Sequence, residues 1–422
     1  MALVLLALGS RGDLTPLLAL AREATARGAE VRVVALDEYA PLIAAAGAEH
    51  VPVHADVAGA MWHPHPVARR MMLAQPGLMY AGMTLRLGRA APLVVDAVRR
   101  ATRPGDTVVA GLATSGIAVE LAARHRVVLA LFAPVLPTAH PASAVMACGL
   151  GRHRLSGSPT RVTSSVGWTM SVEMSGAAGR RWRRESAAPP GVDARDLTAV
   201  RAAGLRILLA ADPALVPPAP DWPVGVRQTG FWTMPSGDPE VAQVARLEAF
   251  LARGSAPVFV GFGTCPVVDP QADLDLFVRA AERAGVRIVV QPQPGVQVPE
   301  SPGVVALGEF PHDRLFPRLA GVVHHGGAGT TSAAVQAGVP SAVIPHLGDQ
   351  GYWGRRVADL GLGPSPVPRT VLTEGSLARV LRGVTGERSG SYARQARQIG
   401  DRMRTDGAEH AAALILDQSA VT

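Results

Sequence analysis

Val322-Val323-His324-His325-Gly326-Gly327-Ala328-Gly329-Thr330-Thr331-Ser332 is the stretch from which the rest of the chain can be read. The apolar run that ends in two histidines has the character of a buried strand. The glycines make a turn, and the small and hydroxyl residues after them open a helix. A strand that enters a helix through a glycine-rich turn is half of a βαβ unit, so the sheet is expected to be parallel. Such a turn leaves N–H groups unpaired at the positive end of the helix dipole, where an anion can sit. The hydroxyls of Thr330 and Thr331 and a histidine at the strand end add donors. The same residues also fit a plain βα turn with a threonine cap. A third fit is a dinucleotide fingerprint, Gly327-x-Gly329-x-x-Ser332, with Asp349 twenty residues past Gly329. The acid of a dinucleotide fold ends the next strand, however, and Asp349 stands beyond Pro345 and Gly348, followed at once by Gln350. A carboxylate beside an amide in a loop suits the hydroxyls of a sugar better.

Outward from this stretch the same grammar recurs. Residues 258–262, 287–291, 321–324 and 341–344 read as strands, with helices over 273–284 and 331–337. Before them, strands are expected at 3–8, 31–36, 107–110, 127–132 and 205–210, with helices at 14–26 and 116–124. This alternation predicts an α/β protein of two doubly wound parallel-sheet domains in tandem. Residues 213–223 are too proline-dense for a helix or a central strand. The expected boundaries are therefore a first domain 1–212, a linker and hinge 213–228, a second domain 229–405, and a closing helix in 406–422 that packs back on the first domain. Residues 55–90 and 138–190 are less periodic and read as the variable segments where specificity is built. They hold Trp62-His63-Pro64-His65-Pro66, Trp168 and Arg180-Arg181-Trp182-Arg183-Arg184, the last a solvated helix face or a membrane anchor.

Composition bounds the function. The 422 residues exceed one ordinary core, and 48% apolar against 18% charged residues is ample for two packed domains and the cleft between them. There is no lysine; all 41 basic residues are arginine. That excludes a Walker A loop and every Schiff-base chemistry. Cys148 and Cys265 are the only cysteines, which excludes a disulfide framework and points to a reducing cytoplasm. The net charge of +7 comes from scattered arginines with only 4% aromatic residues, a poor footprint for nucleic acid. The apolar start is interrupted by Gly9, Arg11 and Asp13, too early for a signal or an integral membrane span.

The stretch 308–368, from Gly308-Glu309-Phe310-Pro311-His312 through the glycine turn to Pro345-His346-Leu347-Gly348-Asp349-Gln350-Gly351-Tyr352-Trp353, resembles the donor site of GT-B nucleotide-sugar glycosyltransferases. The likeness is greatest to the bacterial enzymes that decorate glycopeptides and polyketides, and to sterol glucosyltransferases. Supporting matches are Gly9-Ser10-Arg11-Gly12-Asp13-Leu14-Thr15-Pro16, Leu209-Ala210-Ala211-Asp212-Pro213, Thr229-Gly230-Phe231-Trp232 and Val258-Phe259-Val260-Gly261-Phe262-Gly263-Thr264. The resemblance implies an N-terminal acceptor-binding domain and a C-terminal domain that binds a UDP- or dTDP-sugar. It further implies that His325, Gly326, Gly327, Gly329 and Thr330 hold the diphosphate, that Thr264 reaches it, and that Asp349 and Gln350 bind sugar hydroxyls. Phe310 stands where the family packs the nucleotide base, and reads equally well as a core aromatic.

Asp13 follows Gly12 where many relatives carry a catalytic histidine, so the resemblance makes it the general base, with Arg11 beside it to offset diphosphate charge. Asp13 could also simply cap the helix that follows, with Pro16 in its first turn. No acid in 110–116 matches the second member of the histidine enzymes' dyad. The implied activity is inverting hexosyl transfer to an apolar small-molecule acceptor, with no cofactor and no metal. The alternatives are a nucleotide-sugar epimerase or hydrolase of the same fold, or a non-catalytic donor-binding helper. Asp273-Leu274-Asp275 matches a metal-binding Asp-x-Asp but falls in a predicted first helical turn, where acids are ordinary. His63 and His65 lack a third ligand nearby. Glu173 is the next candidate base.

Overall fold

The computed structural model describes residues 2–55, 76–145, 157–186, 193, 195–202, 204–234, 237–263, 265, 268–293 and 295–417. Cys148, His63, His65 and Thr264 lie outside them. The chain divides into two compact units, Met1–Met234 with Arg404–Thr422, and Pro235–Met403.

The first unit holds seven parallel strands: β1 Leu3–Ala7, β2 Val31–Leu36, β3 Glu49–Val53, β4 Thr107–Ala110, β5 Arg126–Leu131, β6 Arg206–Leu209 and β7 Val226–Gln228. Their order is β3-β2-β1-β4-β5-β6-β7. β1 and β2 are buried throughout, the continuous apolar pattern of strands covered on both faces. The covering helices are α1 Arg11–Ala26, α2 Ala40–Ala45, α3 Pro76–Ala101, α4 Ser115–Leu121, α5 Ser158–Ser186 and α6 Leu197–Ala202. The chain runs one way from β1 to β3 and the other way from β4 onward. This puts a topological switch point at the carboxyl ends of β1 and β4, where such sheets bind ligands.

Some features differ from the sequence reading. Residues 226–228 are the edge strand β7, paired with β6 from Ile207↔Val226 to Leu209↔Gln228, so the proline-rich stretch lies inside the first unit. Most of 138–190 is regular, because α5 carries a buried stripe at Trp168, Val172, Ser175, Gly179 and Trp182. That stripe meets α4 through glycine. The Ser175 hydroxyl accepts from Gly116 N–H at 2.9 Å, and a Cβ at Gly116 would stand 2.5 Å from the Ser175 carbonyl oxygen. Arg183 of the arginine run donates to the buried Glu120 at 3.0 Å, and Trp182 is buried, so this run is not simply a solvated face.

The second unit has five parallel strands: β8 Val258–Gly261, β9 Ile288–Val290, β10 Val304–Ala306, β11 Gly321–His324 and β12 Ser341–Val343. Their order is β10-β9-β8-β11-β12, which sets a second switch point between β8 and β11. Helices α7 Val241–Leu251, α8 Pro270–Ala284, α9 His312–Leu315, α10 Ala328–Gln336, α11 Gln350–Asp359, α12 Glu374–Thr385 and α13 Ser389–Gly400 cover it. The last helix, α14 Gly407–Leu416, returns to the first unit and packs on α1. Arg404 N–H donates to Asp212 at 2.8 Å, and Arg206 donates to the Leu414 carbonyl at 3.1 Å. No helix among the described residues is long and apolar enough to cross a membrane.

Candidate functional site

The glycine turn sits at the second switch point. β11 ends in His324, which is fully buried and accepts from Gly326 N–H through Nδ1 at 3.1 Å. Gly326 takes φ +93°, and a Cβ there would stand 2.7 Å from Val343 and 2.8 Å from the Gln350 carbonyl, so only glycine fits. Gly327 is the N-cap of α10, whose first helical bond runs from Thr331 N–H to Gly327 O at 2.9 Å. The N–H groups of Ala328, Gly329 and Thr330 precede that bond and find no acceptor among the described residues. A Cβ at Gly329 would meet nothing within 4 Å. A helical glycine costs roughly 0.5–1 kcal/mol against alanine, and packing here gives no return. Its effect is to leave the amides bare.

The turn's histidines are neutral at physiological pH. Burial, with His312 close by, pushes His325 down to about 4, and its Nδ1 is buried without a partner among the described residues. His324 lies well below its ordinary value for the same first reason, with His325 and His312 adding to it. His312, stacked on Phe316 with ring centroids 4.3 Å apart, is pushed down to about 4, as is His346.

Gln350 and Asp349 are engaged within the protein. The Gln350 Oε1 accepts from His346 N–H at 2.8 Å and Leu347 N–H at 3.0 Å, and its Nε2 donates to the Cys265 sulfur at 3.2 Å. One amide hydrogen has no acceptor among the described residues. Asp349 accepts from the Trp353 indole N–H at 2.8 Å and is half-buried. Phe310 is half-buried and packs on the second unit's core. Asp273 is buried in an ion pair with Arg369, and Asp275 accepts from Gln271 at 3.0 Å, so the two acids of that motif serve different partners. Sequence reasoning missed His324, His346 and Cys265; only the strand-end position of the first flagged it.

Arg11, Gly12 and Asp13 belong to the first unit, in the first turn of α1 at the first switch point. Here the expected cap is corrected: Ser10 is the N-cap and Asp13 the third helical residue. Its Oδ2 accepts the Ser10 N–H at 2.9 Å and the Ser10 hydroxyl at 3.0 Å, the reach-back of a capping box. Pro16 lies inside the helix, past the first turn. Gly9 has no room for a side chain, because a Cβ would overlap the Asp13 carboxylate. Asp13 is exposed at the surface, and desolvation by nearby protein raises its pKa above the usual value, against the two Ser10 bonds that lower it. A raised carboxylate is a better proton acceptor. Glu173 is tied to Arg195 at 3.3 Å and Arg180 at 3.5 Å.

The family model for the erythromycin biosynthesis protein CIII-like C-terminal domain matches residues 280–414. Glycosyltransferase GtfC of Amycolatopsis orientalis is 32% identical over 446 residues, covering 99% of this chain and 97% of that protein. A sterol 3-beta-glucosyltransferase of Aspergillus terreus is 30% identical over 373 residues, 85% of this chain, which spans about a quarter of that relative's length, 26%. Among solved structures, glycosyltransferase VinC in complex with dTDP superposes with a TM-score of 0.59 at 19% identity, over 98% of each chain. The full-length relationship to GtfC and the pair of doubly wound parallel sheets make this chain a member of the glycosyltransferase family, built on the GT-B fold.

Proposed function

We propose that the chain transfers a hexose or deoxyhexose from a UDP- or dTDP-sugar to a hydroxyl of an apolar small molecule of polyketide, macrolide, glycopeptide or sterol type. The observation that carries the reading is the start of α10, with three amides lacking an acceptor among the described residues, a glycine whose Cβ would meet none of them, and neutral His325 beside them. The first unit receives the acceptor and the second the nucleotide sugar. Asp13 takes the proton of the acceptor hydroxyl as its oxygen attacks the anomeric carbon. The bond to the diphosphate breaks, the nucleotide leaves with the electron pair, and the anomeric centre inverts. The helix terminus and His325 stabilise the departing charge, with Thr264, Gly326, Gly327 and Thr330 around it, while Asp349 and Gln350 bind sugar hydroxyls. The reaction calls for neither metal nor organic cofactor and is set in the cytoplasm. VinC with dTDP supports a nucleotide donor, and the sterol relative an apolar acceptor.

The test is a mass-spectrometric screen of paired UDP- and dTDP-sugars with apolar acceptors, run with and without a chelator. A product heavier by one hexosyl group, formed equally with chelator present, is the expected result. Donor breakdown without any acceptor product would replace transfer by hydrolysis.

A further inference from the structure

β8 and β12 are not neighbours, because β11 lies between them. The loops that leave their carboxyl ends nevertheless meet across the end of β11. Gln350, at the start of α11, donates to the Cys265 sulfur at 3.2 Å while its oxygen holds the N–H groups of His346 and Leu347. The His346 ring stands edge-on to Phe262 with centroids 4.8 Å apart, a second tie between the same loops. Gln293, from the loop after β9, donates to the Cys265 carbonyl at 3.1 Å. Cys265 and Gln350 are both buried. The glycine turn is enclosed by these groups: Gly326 backs onto Gln350, and a Cβ at Gly263 would stand 3.6 Å from the His325 ring.

We infer that Cys265 and Gln350 form a strap that holds the loops after β8 and β12 at the separation the glycine turn needs to present its amides to a diphosphate. Cys265 is thus a positioning residue, one that touches no reacting atom. The inference rests on the donor-site reading above. Burial pushes the thiol up to about 12, against the Gln350 bond that lowers it, so the group is a neutral thiol at working pH. Its sulfur accepts the amide hydrogen. The strap also accounts for a feature that direct sugar binding does not: three of the carboxamide's four hydrogen-bonding positions are already filled by protein.

The test compares Cys265→Ala and Cys265→Ser in the full chain. It uses hydrogen exchange, calorimetric binding of UDP and of dTDP, and steady-state kinetics. Cys265→Ala should speed exchange of the His346 and Leu347 amides and raise nucleotide Kd and donor KM about 3- to 10-fold, as for one lost hydrogen bond, with kcat unchanged. Cys265→Ser, which keeps an acceptor, should restore most of both. Unchanged exchange in Cys265→Ala, or equal losses in the two variants, overturns the strap. Failure of the unmodified protein to bind either nucleotide overturns the donor reading and the strap's role with it. That outcome is distinct from the strap failing alone, in which the unmodified protein and Cys265→Ala bind nucleotide equally well.

Discussion

At Asp13 the capping box decides what substitution can reveal. Asparagine keeps an oxygen for the Ser10 N–H, so Asp13→Asn should retain the helix start. Because the folded carboxyl has a raised pKa, the folded state binds a proton more tightly than the unfolded chain. Stability is therefore lost as pH rises from the ordinary aspartate value through the raised one. The neutral amide removes that penalty. Asp13→Asn should melt at the same temperature or higher at pH 7 while turnover drops about 10²- to 10⁴-fold. Wild-type transfer by this variant at saturating acceptor would take Asp13 out of the mechanism. For His325→Ala the expected loss of donor binding or turnover is about 10- to 1,000-fold with the fold intact. A titration showing undiminished nucleotide affinity would assign the diphosphate contact to the amides alone.

At the scale of elements, β11, the turn after it and the loop after β12 enclose histidines held neutral by burial, and α9 adds His312. An unfolded histidine takes a proton near its ordinary value, about 6.5, and these do not until far lower. The unfolded chain thus binds more protons below that value, and stability is full above it and lost as pH falls toward about 4. Hydrogen exchange should show β8–β12 loosening between those limits; protection that stays constant to pH 4.5 would contradict it. The α4–α5 crossing gives a paired test. A Cβ at Gly179 would overlap the Gly116 carbonyl, whereas one at Gly88 in α3 would sit 3.8 Å from Ala177, an ordinary contact. Gly179→Ala should cost about 1–3 kcal/mol and Gly88→Ala should stabilise by about 0.5–1 kcal/mol. Thermal melts moving both variants the same way would refute the assignment. The same elements show where sequence was legible. The central strands announced themselves as apolar runs, and the glycine turn announced the parallel sheet. The missed strands, β3, β7 and β10, are all at sheet edges, two of them three residues long and the third holding Pro52. Half-exposed edges carry little hydrophobic signal. α5 was hidden by its glycines, serines and threonines, poor helix formers held by packing rather than propensity. The engagement of Gln350 with Cys265 joins residues 85 apart in sequence, and no local pattern announces such a bond.

At the scale of the molecule, the first unit is discontinuous, closed by a helix that arrives after the second unit is complete. Removal of residues 404–422 should deprive α1 of its cover and the Asp212 carboxylate of its Arg404 partner. The first unit should then lose exchange protection while β8–β12 keep theirs; equal loss in both would mean that the helix stabilises the chain as one body. The interruption also orders events on the ribosome. At roughly 5–20 residues per second, making Pro235–Met403 occupies on the order of ten to thirty seconds, during which α1 has been synthesised but α14 has not. The unit begun first is therefore finished last, and the inserted one can settle while its host is still open. Stalled ribosomes carrying the chain through Met403 plus a tunnel-length spacer should yield a protease-resistant second unit and a cleavable α1. Resistance of both would show that the first unit does not wait for its closing helix.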